Sequence, residues 1–213
     1  MTIRKLYMCA LLMGAFLMFV SAPYLNQVHA QTDLETPESV ADAYFIALRE
    51  NNWNGVCQLM HPEAIDSLRN VMLPIALEAD RVGAEAEEEF LEVLVGGIGS
   101  IEEFLRLNLQ QFCVSFFQGP ILTGLLEGIS NSEIMALGHV NEGPEVAHVV
   151  YRMNTRFDDF GEGVDDDMNI TVTQLSVISL QRYGSEWRVL LTGELEGMVQ
   201  VLQMLQKSVL EEQ

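Results

Sequence analysis

"ITVTQLSVISLQRYGSEWRVLL", residues 170–191, decides the fold. Ile170, Val172, Gln174, Ser176, Ile178 and Leu180 fall on one side of a period of two, the repeat of a strand with one covered face. Gly184-Ser185 marks a tight turn, after which Trp187, Val189 and Leu191 alternate again. Upstream, Ile134–Val140 and Val146–Phe157 are rich in strand formers and are parted by the turn signal Asn141-Glu142-Gly143-Pro144. The third strand, read as residues 168–183, is long, and a strand of that length is expected to bend at a bulge.

The first half has a helical period instead. Thr36 caps and Pro37 opens a helix whose face is Val40, Ala43, Tyr44, Ala47 and Leu48, and Asn51-Asn52 ends it. Trp53, Val56, Cys57 and Met60 form a shorter helical face. His61-Pro62 breaks it and starts the next, carried by Ala64, Ile65, Leu68, Val71 and Met72, with Pro74 expected to kink or end it. Between Glu78 and Glu92 stand seven acidic residues, the mark of a solvated helix face. Gly96-Gly97-Ile98-Gly99 interrupts; no strand precedes it and no Lys-Ser/Thr follows, so it is not a phosphate loop. Ser100-Ile101-Glu102-Glu103 fits a capping box, opening one long helix through Phe116 toward Gly119-Pro120. Residues 121–131 read as a linking segment with room for a helical turn, and Leu195 to Val209 as a C-terminal amphipathic helix. Helices followed by consecutive hairpins give an α+β domain with an antiparallel sheet.

The first thirty residues have another character. Arg4 and Lys5 precede an apolar run, Leu6–Val20, and Val28 with Ala30 supply the small residues of a cleavage site. Fifteen apolar residues fall short of the roughly 20 a spanning helix needs. The expectation is a signal peptide over 1–30 and a single domain over 31–213, exported to a periplasmic or extracellular location, with no stable membrane insertion after cleavage. Without the first 30 of its 213 residues the chain carries nine basic and 31 acidic side chains, a charge of −22. Nucleic acid is excluded as a partner by that charge. Cys57 and Cys113 remain; an oxidising compartment permits a disulfide, but both sit among apolar helix-face residues and are read as buried thiols.

Chemistry-bearing residues are few. His61 with Glu63 looks like an acid–base pair, yet His61 occupies a cap position and Glu63 the first helical turn, where a carboxylate favours the positive end of the dipole. The structural reading is preferred, and no catalytic residue is assigned. His139 and His148 lie on the first hairpin and could face the interior. "DDFGEGVDDD", residues 158–167, offers Asp158, Asp159, Glu162, Asp165, Asp166 and Asp167 as weak calcium ligands; the spacing is not that of an EF-hand, and a solvated hairpin tip is preferred. No metal and no cofactor is expected.

Taken in order, "TPESVADAYFIALRENNWNGVCQLMHPEA" and the closing strands resemble the nuclear-transport-factor-2-like superfamily, which includes SnoaL-type cyclases and ketosteroid isomerase; the export signal suits a bacterial member. The first helix, the Asn-Asn-Trp step, the Met-His-Pro-Glu junction and the Gly-Ser-Glu-Trp-Arg-Val hairpin carry the likeness, over residues 36–73 and 132–192. A helical insertion at about 78–120 and the last helix lie outside the minimal pattern. The resemblance implies a curved antiparallel sheet wrapped on N-terminal helices into a cone open at one end. Tyr44 resembles the isomerase tyrosine that donates to a substrate oxyanion. The isomerase base has no counterpart: Glu63 and Asp66 are the nearby carboxylates, on a helix.

Tyr44, Trp53, His61, His139 and His148 are therefore the pocket candidates, and Tyr44, His61, Glu63 and Asp66 the candidates for catalysis. The preferred expectation is a non-catalytic exported domain binding a small apolar ligand or a protein partner, with a homodimer in view. The alternative is a small-molecule isomerase, cyclase or dehydratase working in the cone.

Overall fold

The computed structural model describes residues 34–130, 132–157, 170–193, 195–197 and 199–200. Among these residues seven helices precede four strands: α1 Pro37–Arg49, α2 Trp53–Leu59, α3 Pro62–Val82, α4 Ala84–Leu94, α5 Ile101–Arg106, α6 Leu109–Phe117, α7 Pro120–Ser130, then β1 Ser132–Glu142, β2 Val146–Phe157, β3 Ile170–Tyr183 and β4 Glu186–Val189. The strands form one antiparallel sheet in the order β1-β2-β3-β4. The chain is α+β, with the sheet curved over the helical layer.

Capping chemistry sets the helix boundaries. Thr36 accepts from the Ser39 N–H, and Ser39 reaches back to the Thr36 N–H, a reciprocal box that satisfies two orphan donors at the start of α1. Asn51 takes a positive φ of 53° to turn the chain, and Asn52 caps α2 through the Gly55 N–H. Ser100 caps α5, accepting from the Glu103 N–H. The Glu103 carboxylate, however, accepts from the Gly99 N–H rather than from Ser100.

Three helical expectations need correction. α3 does not end at Pro74 but runs on to Val82, because its buried face, Ile65, Leu68, Met72, Ala76 and Ala79, continues on both sides of the proline. The expected long helix is two: α5 ends at Arg106, and Asn108 caps a separate α6 by a box with Gln111. Residues 120–130 are a helix rather than a linker; Leu122, Leu126 and Ile129 repeat at helical spacing and pack toward the core, outweighing the propensity cost of the glycines.

One face of the sheet is covered by helices. Ala147, Val149 and Tyr151 on β2, Ile178 and Leu180 on β3, and Trp187 and Val189 on β4 are buried there. Register pairs them: Val149 opposite Ile178, Ala147 opposite Leu180, Leu180 opposite Val189. The bulge expected in the third strand lies in the first, between Ala136 and Gly138. β3 needs none, since its partner β2 follows it residue for residue from Phe157↔Ile170 to Val146↔Gln181. The free edge of β4 is closed by the α2–α3 junction, where the His61 N–H donates to the Val189 carbonyl (2.7 Å).

Cys57 on α2 and Cys113 on α6 form a disulfide, Cα atoms 5.9 Å apart. The reading as free thiols is thus overturned. Both side chains are buried, as expected, but α2 and α6 pack side by side and bring the two buried sulfurs together. The chain turns helical again from residue 193, with the Glu196 N–H donating to the Thr192 carbonyl. The rest of the expected C-terminal helix, and the whole of 158–167, lie outside the described residues.

Candidate functional site

Between the helices and the far end of the sheet lies a cavity of about 580 Å³. α1 contributes Tyr44, Phe45 and Leu48; Phe117 ends α6; Leu122, Leu126 and Ile129 come from α7. The sheet supplies Tyr151, Met153 and Thr155 from β2 with Val172 and Gln174 from β3, and Thr192 and Leu195 close the remaining side. Pairing places Met153 opposite Gln174 and Thr155 opposite Val172, so the sheet wall alternates apolar and hydrogen-bonding groups.

The deep end is aromatic. Phe45 lies against Tyr151 with ring centroids 4.7 Å apart and against Tyr44 at 5.8 Å. Phe117 is fully buried and stacks on Trp53, centroids 5.9 Å apart and planes 20° from parallel. The other end is open: Val172 is 48% exposed and Gln174 is exposed beside it. Thr155 stands at this end, its hydroxyl 2.7 Å from that of Ser132.

Of the sequence candidates, Tyr44 lines the cavity and Trp53 stands one layer behind it, backing Phe117. The others are elsewhere. His61 is buried at the α2–α3 junction, where Nδ1 accepts from the Glu63 N–H (3.2 Å) and the ring meets Tyr183 edge-on. Glu63 and Asp66 are exposed on α3, Asp66 accepting from the Asn70 amide (3.0 Å). The His61–Glu63 pair is a helix cap.

The two hairpin histidines do not enter the cavity. His148 stands on the uncovered face of the sheet, between the Ser179 hydroxyl and the Glu142 carboxylate, 2.9 Å from each. Strand alternation puts it opposite buried Ala147 and Val149, on the solvent side. The bulge shifts parity in β1, so His139 pairs with Val149 and faces the helices, but it binds Glu38 at the start of α1. This is the end of α1 remote from Tyr44.

That contact shifts a carboxylate. The hydrogen bond with His139 holds Glu38 below its ordinary value, against a smaller opposing effect of burial. One turn later, lost hydration raises Asp42, opposed by the hydrogen bond its carboxylate accepts from the Ala136 backbone.

Sequence reasoning missed most of the cavity wall. Phe117 was expected inside a long helix, and Leu122, Leu126 and Ile129 in a linker; their spacing of four and three was the available signal. Phe117, from the end of the insertion, and α7, which follows it, therefore supply a large part of the site. Among the described residues no group of three or more His, Cys, Asp or Glu is placed to hold a metal, and no helix is long and apolar enough to cross a membrane.

No family model and no curated protein matches the chain. Among solved structures, it is similar to an NTF-2-like protein of unknown function from Shewanella oneidensis MR-1. The identity is 9% over 70% of this chain and 88% of that one, with a TM-score of 0.31. It is similar also to a putative calcium/calmodulin-dependent protein kinase II association domain from Xanthomonas campestris. There the identity is 11% over 71% of this chain and 79% of the other, with a TM-score of 0.30. The α+β arrangement, helices followed by a four-stranded antiparallel meander curved over them, is the one the nuclear-transport-factor-2-like resemblance implied, and it stands on the strand order and register themselves.

Proposed function

We propose that this protein is an exported, non-catalytic domain that holds a small apolar ligand in the cavity beneath its sheet. The observation that carries this reading is the lining: aromatic and aliphatic side chains with a few hydroxyls and one amide, around about 580 Å³, within the ~300–1,000 Å³ range of small-molecule sites. Export is supported by the N-terminal pattern and by the Cys57–Cys113 disulfide, a bond that persists in oxidising compartments.

A catalytic alternative, an isomerase, cyclase or dehydratase, draws on Tyr44, whose ring lines the cavity. Its candidate bases His61, Glu63, Asp66, His139 and His148 sit at a helix cap, on the α3 surface and on the first hairpin, away from that tyrosine. A partner-binding role, including a second copy of the chain, draws on the uncovered sheet face, where Met135, Leu137, Val140, Leu175 and Val177 are 45–64% exposed.

Mass spectrometry of the protein purified from its exported compartment tests the ligand reading. A co-purifying apolar molecule, absent from a variant whose cavity is filled by Leu126→Trp, is the expected result. Failure to find the processed protein outside the cytoplasm would reject export. An equal yield of the molecule from both proteins would reject the cavity.

A further inference from the structure

Resting on the cavity reading above, we propose that the ligand is an uncharged amphiphile: a hydrocarbon or aromatic body with one hydroxyl, carbonyl or amide end. The cavity has a direction. Phe117 and Leu122, at 0% and 1% exposure, form its closed end, and Val172 and Gln174 its open end. A body with an apolar and a polar end enters apolar end first, because burial stabilises the hydrocarbon by about 25 cal/mol per Å².

Its polar end then meets Gln174 and Thr155. The amide offers two donors and an acceptor, and the Thr155 hydroxyl spends one of its three hydrogen-bonding positions on Ser132. A neutral hydroxyl or carbonyl recovers here what it loses in leaving water. A carboxylate fares worse: the walls named above are apolar, hydroxyl or amide, and the chain carries a net charge of −20, whose field repels anions. An ammonium is drawn by that field but loses more hydration than an amide and a hydroxyl return. In size, the cavity of about 580 Å³ takes at least about 19 non-hydrogen atoms if each takes no more than the ~30 Å³ share of one water.

Displacement of Nile red from the full chain, at pH 8 and low salt, separates the possibilities. 1-Dodecanol, dodecanoate and dodecylammonium share one hydrocarbon tail and differ in the charge of the end. 1-Dodecanol is expected to displace the dye at concentrations at least about tenfold below either charged compound, and Gln174→Leu to weaken it about three- to tenfold. Dodecanoate or dodecylammonium matching the alcohol would overturn the uncharged class and leave the cavity reading intact. An unchanged alcohol affinity in Gln174→Leu would overturn the placement of the polar end. Nile red failing to bind, or binding equally to Leu126→Trp and Met153→Trp, would reject the cavity itself and this inference with it. Circular dichroism confirms that the tryptophan variants are folded.

Discussion

Cys57 and Cys113, 56 residues apart in the chain, are joined across the α2–α6 contact, each four residues along its helix from a member of the Trp53–Phe117 stack that backs the cavity. The bond ties the helical insertion to the part of the chain that resembles the superfamily pattern. It thereby fixes the position of α6, and so of Phe117.

Closing a loop of this length restricts the unfolded chain by about 4 kcal/mol in the chain-entropy account. Cys57→Ser/Cys113→Ser is expected to lose stability on that scale. Urea denaturation of the wild type with and without reductant measures the same loss. Identical midpoints in all three samples would mean that the bond contributes nothing to the fold.

Phe117→Ala removes the ring between Trp53 and the cavity. A large-to-small change at a fully buried aromatic costs about 3–5 kcal/mol, less where an existing cavity lets neighbours relax. The expected outcome is a lower urea midpoint together with binding of bulkier dyes than the wild type accepts.

The Glu38–His139 contact gives stability a pH dependence with a definite sign. Glu38 is depressed from 4.5 when folded, so its contribution is present above that value and is lost as pH falls through the depressed one. Glu38→Gln is therefore less stable than wild type at pH 7, and the gap closes in acid. Asp42 is raised from 3.8; its contribution is present below that value and is lost as pH rises through the raised one. Asp42→Asn is expected to match or exceed wild type at pH 7, the difference vanishing in acid. Thermal melts from pH 3 to 7 decide both.

His61 works as a cap. His61→Ala is expected to cost about 1–2 kcal/mol, with added loss from its buried packing on Tyr183, and His61→Asn to recover part of it. Neither changes ligand affinity, since the junction lies outside the cavity lining. A large affinity loss in the folded Asn variant would return His61 to the site.

What the sequence made legible was governed by local rules. Thr36, Asn52 and Ser100 cap helices by chemistry confined to four residues, and the alternation from Ile170 to Leu180 needs no partner to be recognised. The disulfide was hidden because Cys57 and Cys113 each have an adequate local explanation and meet through packing alone. The α5–α6 break was hidden by an unbroken apolar pattern, although Asn108 and Gln111 carry a box. Tyr44 could be picked out from α1, but the far wall of the cavity depends on where Phe117 and α7 dock.

The extra residue in β1 between Ala136 and Gly138 has an architectural effect. It acts as a half-twist in the bookkeeping of the ribbon: counting by twos from Met135 assigns His139 to the solvent side, while the fold delivers it to the helices. Pairing every residue of the strand one for one, with no bulge, would swing the imidazole outward and unfasten Glu38, whereas excising Leu137 would leave His139 opposite Val149 and facing the helices. A bulge of one residue thus decides whether the leading helix is latched to the rim of the sheet.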